Sequence, residues 1–476
     1  MSKEHVGTGL VPVRNSTIYH KVHVVNKSYN LIPMSLNMDN NFRDIISSLS
    51  DLYRERAVYL VGGTIRDLLL GRETKDFDVF VIGNGVEFAR HFQRRRGGRF
   101  ILLDEARDEA RVVLGELIFD FNGGISIESD LARRDFTINS MAMRLPSSRI
   151  IDPFGGRADL RKGIIRAVRE ENLSDDALRV LRAFRFKSLY GFSIEKKTRC
   201  TIARVAYLLK DIAKERIKTE VFFILEAESS WHTLKEMADM GVLCEVIPGF
   251  SSLRGVPQNK PYGDLVHHSI NTVRALEELE IDSLPHPEIF REYYKNNRAV
   301  LKLSCLLHDI GKPQTYEVTG GRMHFYGHEK VGVDIVKSGL KLSNEEISIM
   351  TTLIMYHMRP HLLASDPYYT RRAIVRLVSV CGRDTPGLLL LALSDAVASA
   401  GCIGDGLKQV VRDATEVMTK KEEMRERLVT GDDLIALGLT PGIIFGEILS
   451  MVDEERTLGN IKTKNEAISY IKERWL

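Results

Sequence analysis

The sequence is poor in the features that mark several whole classes of protein. It has five cysteines in 476 residues, and Cys200, Cys244, Cys305, Cys381 and Cys402 are scattered along it. Without a close pair there is no metal knuckle and no redox dithiol, so free thiols in a reducing cytoplasm are expected. No apolar run approaches the roughly 18 residues that span a bilayer, so no membrane association is expected. The first 30 residues are polar, with no apolar signal-peptide core. Internal repeats are also lacking. What is present is the balance of a protein with real cores, 44% hydrophobic and 28% charged, which excludes a disordered scaffold or a fibre. The length calls for two to four domains of about 100–200 residues each.

The net charge of +3 hides an asymmetry. Between Leu131 and Ser230 there are 21 Lys and Arg against 13 Asp and Glu, so the rest of the chain is acidic. A basic block of this kind suits an anionic substrate such as a nucleotide or nucleic acid, although a solvated helical face gives the same count.

Residues 1–45 are Asn- and Ser-rich and read as a loosely attached extension. From Asp51 to about Arg149 the pattern is mixed. Strands are expected at Ala57–Val61, Phe77–Ile82, Phe100–Leu103, Val112–Val113 and Leu117–Phe121, with a short helix at Ile65–Leu70. From Asp175 onward the periodicity is helical, interrupted at Pro248–Pro261, Pro285–Pro287 and Pro360–Pro367. The outline expected is therefore an α/β or α+β head followed by an all-helical body.

Three blocks in the first half carry chemistry. In Tyr59-Leu60-Val61-Gly62-Gly63-Thr64-Ile65-Arg66-Asp67 a strand runs into Gly62 and Gly63 and then a helix, which lets backbone N–H groups approach a phosphate, with Arg66 as a charged fork one turn on. Asp76 and Asp78 follow, two apart on a strand, so their carboxylates share a face and repel unless a cation sits between them. Magnesium, which takes oxygen ligands and bridges to phosphates, suits that position. The second block is Asp130 to Ser140, with Arg133, Arg134 and Asp135 at its centre, followed by Asp152-Pro153-Phe154-Gly155-Gly156. In the third, Asp176, Arg179, Arg182 and Arg185 recur every three residues and form one polar helical stripe beside Leu178, Leu181 and Phe184. One carboxylate and three guanidiniums on a face fit a nucleotide, base at one end and triphosphate at the other.

A separate constellation lies in the second half. His308 and Asp309 are adjacent at a helix end punctuated by Gly311 and Pro313; His268 precedes them, Asp395 follows, and His328 and His357 lie between. An adjacent His-Asp with a further His and Asp on separate helices can surround a divalent metal and activate a water.

The three head blocks, in this order and spacing, resemble the class II tRNA nucleotidyltransferase and bacterial poly(A) polymerase family, and the resemblance runs from about Tyr59 through the helical body. It implies a polymerase-beta-like head in which Asp76 and Asp78 hold catalytic Mg2+, with Asp120 as the third carboxylate. It implies that Gly63, Arg66 and Arg134 contact the incoming nucleotide, with Gly62 beside them, that Asp176 and Arg179 read the base edge, and that Arg182 and Arg185 complete the pocket. The chain has Asp175-Asp176 where members of this family often have Glu-Asp, which bears on nucleotide preference. His268, His308, Asp309 and Asp395 resemble the metal set of the HD phosphohydrolase domain that some members carry, for which nickel, cobalt or manganese is the expected ion. Thr430 to Gly442 resembles the family's C-terminal segment on the RNA side. The organisation implied is an extension over 1–45, a nucleotidyltransferase head over 46–165, a helical neck over 166–255, an HD domain over 256–405 and a helical RNA-binding tail over 406–476. The expected activity is template-independent addition of C and A, or of either alone, to tRNA 3′ ends from CTP and ATP. The alternatives are a poly(A) polymerase or, from another class, an HD phosphohydrolase with an RNA-binding head. Oligomeric state is left open.

Overall fold

The computed structural model describes residues 57–256 and 264–476 apart from 148 and 425, together with 44, 45 and 47–49; the expected extension over 1–45 falls almost wholly outside them. The head is one seven-stranded sheet. Its strands are β1 (Val58–Val61), β2 (Asp76–Ile82), β3 (Arg99–Asp104), β4 (Glu109–Leu114), β5 (Leu117–Gly124), β6 (Ala142–Leu145) and β7 (Arg149–Ile151), in the order β3-β4-β5-β2-β1-β6-β7. Only β2 and β5 run parallel, and their register sets Asp78 opposite Asp120 and Asp76 opposite Ile118. Five strands fall where the alternation predicts them. β6 and β7 were not anticipated, because they are short and flank the basic block rather than a clear apolar run.

The pleat of β2 separates its roles. Phe77, Val79 and Val81 enter the main core on one face, where Phe77 stacks on Phe119 with ring centroids 5.0 Å apart. On the other face Phe80 is buried with Tyr59 and Leu131, which leaves Asp76 and Asp78 at the open end. The helix after β1, α1 (Gly63–Leu69), starts two residues earlier than expected. A further helix, α2 (Gly85–Arg96), covers the core face of the sheet through Phe88 and Phe92.

Among the described residues the rest is helical apart from two small pairs of strands: Ile164–Ile165 runs parallel to Ser193–Ile194, and a hairpin of Glu317–Thr319 with Arg322–His324 interrupts the expected all-helical body. The helices that matter for function are α3 (Leu178–Tyr190), α4 (Leu265–Glu277), α5 (Pro287–Leu307), α6 (His328–Ser338), α7 (Asn344–Tyr356), α8 (Met358–Ser365) and α9 (Thr385–Ala400). Pro287 opens α5, where its missing N–H costs nothing. The break expected at Pro360 comes earlier, between Tyr356 and Met358, and Pro360 sits in the first turn of α8, where a helix tolerates it. One apolar core runs from the head sheet to Val417, and Val429, Leu434, Ile448, Val452, Ile461, Ala467 and Ile471 form a separate small core at the C-terminal end. One stretch departs from the expectation that none is apolar enough to span a membrane. Arg371–Ala400 passes by length and hydropathy, but 78% of its most apolar window is buried inside the protein, as in a core helix.

Candidate active site and metal cluster

Gly62 follows β1 with φ +64, a left-handed conformation that glycine adopts without strain, and a Cβ there would collide with the Arg134 guanidinium and the Asp78 carboxylate. Its role is therefore to let those two side chains approach the turn. Gly63 is the residue that presents its N–H, donating to Asp78 Oδ2 at 3.2 Å. The hydroxyl of Thr64 accepts from the Asp78 N–H at 2.8 Å, which locks the turn to β2.

These residues open onto a cavity of about 520 Å³. It is lined by Gly63, Arg66, Asp76, Asp78, Arg134, Asp176, Arg179, Arg182 and Arg185 together with Thr64, Asp67, Thr74, Asp135, Asn139, Leu178, Phe186, Tyr190 and Arg216. The carboxylates of β2 and the guanidiniums of α3, about a hundred residues apart in sequence, thus face one space. Of the residues expected at the nucleotide site, only Gly62 and Asp120 do not line it. Asp120 is adjacent to Asp78 across the parallel pair, and Arg111 grips it with two bonds of 2.6 and 2.8 Å. Burial raises the Asp78 carboxyl above the ordinary range; Arg134 opposes this and Asp120 adds to it. Asp76, by contrast, is exposed. A cation between them would relieve the repulsion, and an all-oxygen donor set suits magnesium.

The stripe on α3 needs one correction. The helix begins at Leu178, and Asp176 stands just before it with φ −139 and ψ 97. Its Oδ1 accepts from the Leu178 N–H at 3.2 Å and its Oδ2 from Arg216 at 3.1 Å. Asp-Asp-Ala at a helix start favours side-chain bonds to the backbone over helical geometry. Arg179, tethered to the Asn172 carbonyl at 2.9 Å, lies beside it in the same cavity.

The pattern also missed the residue that organises the arginines. Asp135 is buried; it accepts from Arg182 Nε at 2.7 Å and from Asn139 Nδ2 at 3.0 Å, and Asn139 Oδ1 accepts from Arg66 at 2.7 Å. Burial would raise this carboxyl, but Arg182, Asn139 and the Phe136 N–H hold it below the ordinary range. Asp130 likewise anchors Arg134 at 2.8 Å, and Asp67 holds Arg66 through two bonds of 2.9 and 2.8 Å. Nothing in the spacing distinguishes Asp135 from a surface acid; it reaches Arg182 of α3 directly and Arg66 of α1 through Asn139.

The second cluster collects six elements. His268 comes from α4, His308 and Asp309 follow α5, His328 opens α6, His357 sits between α7 and α8, and Asp395 lies on α9. The turn at Gly311 packs so closely on the His328 backbone that a Cβ would not fit, which brings Asp309 under α6. His268 Nε2 is 3.2 Å from His308 Nε2, 3.5 Å from Asp309 Oδ2 and 3.2 Å from Asp395 Oδ1. All four residues expected in the metal set therefore converge. Lys312 donates to Asp309 Oδ2 at 2.6 Å, and His361 Nε2 lies 3.0 Å from Asp395 Oδ2. Burial would raise Asp309, yet His308 and Lys312 hold it well below the ordinary range. Imidazole and carboxylate donors with buried walls fit a borderline transition cation. A cavity of about 470 Å³ reaches the cluster past His268, Lys312, His361 and Asp395.

Family models match three stretches of the chain. The Poly A polymerase head domain matches residues 58–122 and 103–166, the probable RNA and SrmB-binding site of polymerase A matches 191–253, and the HD domain matches 265–399. The A-adding tRNA nucleotidyltransferase of Deinococcus radiodurans is 32% identical over 87% of this chain and 95% of its own length. The chain belongs to the tRNA nucleotidyltransferase family. The CC-adding enzyme of Thermus thermophilus is a further relative, 30% identical over 88% of this chain and 94% of its own length. Among solved structures, a CCA-adding enzyme in complex with ATP superposes with a TM-score of 0.67 at 25% identity, covering 91% of this chain and 94% of that one. The family accounts for a sheet-containing head followed by a helical body with an HD domain, and its two kinds of site both imply the use of divalent metal.

Proposed function

We propose that this chain adds C and A residues, or one of the two, to the 3′ ends of tRNAs from CTP and ATP without a nucleic-acid template. The observation that carries the proposal is the single cavity that the β2 carboxylates share with Asp176, Arg179 and five further arginines. Magnesium bound by Asp76 and Asp78, with Asp120 alongside, would neutralise triphosphate charge and favour ionisation of the primer hydroxyl. Arg66 and Arg134 offer forks to phosphate oxygens beside the Gly63 N–H, and Arg182 and Arg185 extend the positive wall. Asp176 and Arg179 present an acceptor and donors to the Watson–Crick edge of the base. The 3′ oxygen forms a bond to the α-phosphorus, the bond to the bridging α–β oxygen breaks, and pyrophosphate leaves while the hydroxyl proton passes to solvent. A cytoplasmic enzyme with the neck and the 406–476 tail on the tRNA side is consistent with this use, and relatives named for CC, A and CCA addition favour it over poly(A) synthesis. Incubating the protein with tRNAs ending before CCA, after C and after CC, with each nucleotide in turn, tests it. Incorporation of C or A on at least one primer is expected; A tails on RNAs of any sequence, or no incorporation at all, would overturn it.

A second reading is favoured by the His-Asp cluster and its open cavity. It is a metal-dependent phosphomonoesterase or phosphodiesterase acting on small nucleotides or RNA 3′ ends, with nickel, cobalt or manganese as the metal. Hydrolysis of 2′,3′-cyclic AMP or 2′-AMP with one of these metals is the expected result, and inactivity with all of them would remove it.

A further inference from the structure

Residues 88–103 contain five arginines, Arg90, Arg94, Arg95, Arg96 and Arg99, and no aspartate or glutamate. They lie at the end of α2 and the start of β3, and all five are exposed. Arg90 sits over the Phe100 ring, 4.4 Å from its centroid, and among the described residues none of the five is paired with a carboxylate. By contrast Arg66, Arg111, Arg133, Arg134, Arg166 and Arg182 each hold an acid. We propose that this arginine edge is a contact surface for the RNA primer, taking the phosphates behind the reacting 3′ end. The inference rests on the proposed addition of nucleotides to RNA and adds to it the side from which the RNA arrives.

Strand register places the edge relative to the carboxylates. Arg99 is opposite Val113, Val113 opposite Ile118, and Ile118 opposite Asp76. Residues opposite one another on neighbouring strands share a face, so Arg99 projects from the face that carries Asp76 and Asp78. Three strand spacings of about 4.8 Å separate Arg99 from Asp76, roughly 14 Å in all. Phe100 turns to the other face, against the main core, and Arg90 covers it from α2. The arginines therefore wrap the sheet edge, from the helix-covered face round to the face of the site.

The chemistry sets the direction of approach. Gly63 and Arg66, which offer donors to the triphosphate, follow β1, on one side of β2. Among the described residues the nucleotide cavity takes none of its lining from β3, β4 or β5, on the other side. In an in-line displacement the attacking hydroxyl stands opposite the leaving pyrophosphate. The primer end then approaches over β5, and the RNA behind it runs across β4 toward β3. That path passes Arg111 on β4 and reaches the arginine edge. The dipole of α2 favours Arg94, Arg95 and Arg96 in its last turn, but it does not account for Arg90 before that turn or Arg99 beyond it. Guanidiniums without an acid to release can take phosphate oxygens through two parallel bonds. RNA is favoured over an acidic protein because the edge lies on the line that the reaction gives the primer.

The test reads binding as well as activity. Full-length wild type and a variant carrying Arg94→Gln, Arg95→Gln, Arg96→Gln and Arg99→Gln are titrated with a tRNA lacking CCA over a range of salt concentrations. Each phosphate contact adds about 0.7–0.9 to the slope of log affinity against log salt, so loss of four should lower the slope by about three. The variant should bind tRNA about tenfold more weakly, or worse, at low salt, with KM for CTP and ATP unchanged at saturating tRNA. Equal affinities and slopes, with the wild type adding nucleotides, would overturn the edge and leave the proposed function standing. A wild type that neither binds tRNA nor adds nucleotides would remove both. A variant that binds tRNA normally but no longer binds polyglutamate would assign the edge to an acidic protein and overturn the RNA contact. Circular dichroism reports the fold, and the salt slope of the single variant Arg99→Glu decides if the fourfold variant is unfolded.

Discussion

The two sites of this chain are built from opposite materials. In the head, carboxylates on a strand edge face a wide cavity in which six arginines accompany five aspartates, and Asp76 stays exposed. In the helical body, His268, His308, Asp309, His328 and His357 are all buried, and three of the imidazoles are oriented by the carbonyl of the residue three positions back. An open all-oxygen edge suits an ion that arrives with its triphosphate and leaves with pyrophosphate. A closed, pre-oriented imidazole cluster suits an ion that stays. On the proposed roles, burial as much as donor type separates a substrate-borne metal from a resident one.

Breaking either side should leave the other working. The largest effect is expected from Asp78→Ala, which removes a proposed ligand from the head. Nucleotide addition should fall to background in a primer-extension assay while circular dichroism and metal retention in the body are unchanged. Near wild-type incorporation would mean that β2 does not hold the metal. The reciprocal change, His308→Ala with Asp309→Ala, should abolish hydrolysis of 2′,3′-cyclic AMP and the metal carried by the body, and leave nucleotide addition intact. Parallel loss of both activities would join the two sites into one.

Smaller changes sharpen the comparison within the head. Asp135→Asn keeps the shape but removes the charge that orients Arg182 and, through Asn139, Arg66. A hydrogen bond to a charged group contributes about 1.5–3 kcal/mol, so KM for the nucleotide should rise roughly ten- to a hundredfold with little loss of secondary structure. The same carboxyl gives a pH signature. Its folded value lies below its unfolded one, near 3.9, so its contribution to stability is present above that pH and disappears as the pH falls. The difference in melting temperature between wild type and Asp135→Asn should therefore be largest at neutral pH and shrink below about pH 5. A difference that stays constant down to pH 3 would mean that Asp135 is not ionised in the fold. The mildest effect is expected from Arg179→Ala, which should alter the ratio of ATP to CTP use by about 1–3 kcal/mol, by analogy with other bidentate base contacts. Equal loss with both nucleotides would remove its base-reading role.

Much of the head was legible because its signals are local. The Gly62-Gly63 turn, the alternation around Asp76 and Asp78, and the three-residue spacing of Arg179, Arg182 and Arg185 each follow from the geometry of one strand or one helix. Asp176 escaped by two residues, because a helix start is decided by competition between side-chain and helical hydrogen bonds. Asp135 and Asn139 were not legible as site residues, since the arginines they hold, Arg182 and Arg66, lie on other elements. His328 and His357 could be noticed as histidines, but no spacing rule puts them beside Asp309.

By itself the sequence determined the division into an α+β head and a helical body, the pair of carboxylates, the basic stripe and the presence of a His-Asp cluster. These depend on periodicity and on residue type, which are written along one dimension. Only the tertiary structure decided which arginines share a cavity with those carboxylates, that Arg111 grips Asp120, and that Gly62 serves as a point of close approach. It alone also decided that Asp309 Oδ1 lies between His328 and His357, at 3.5 and 3.6 Å from their Nε2 atoms. Such relations are distances between atoms far apart in the chain, and they are set by how the helices and the sheet pack rather than by any local preference of the residues involved.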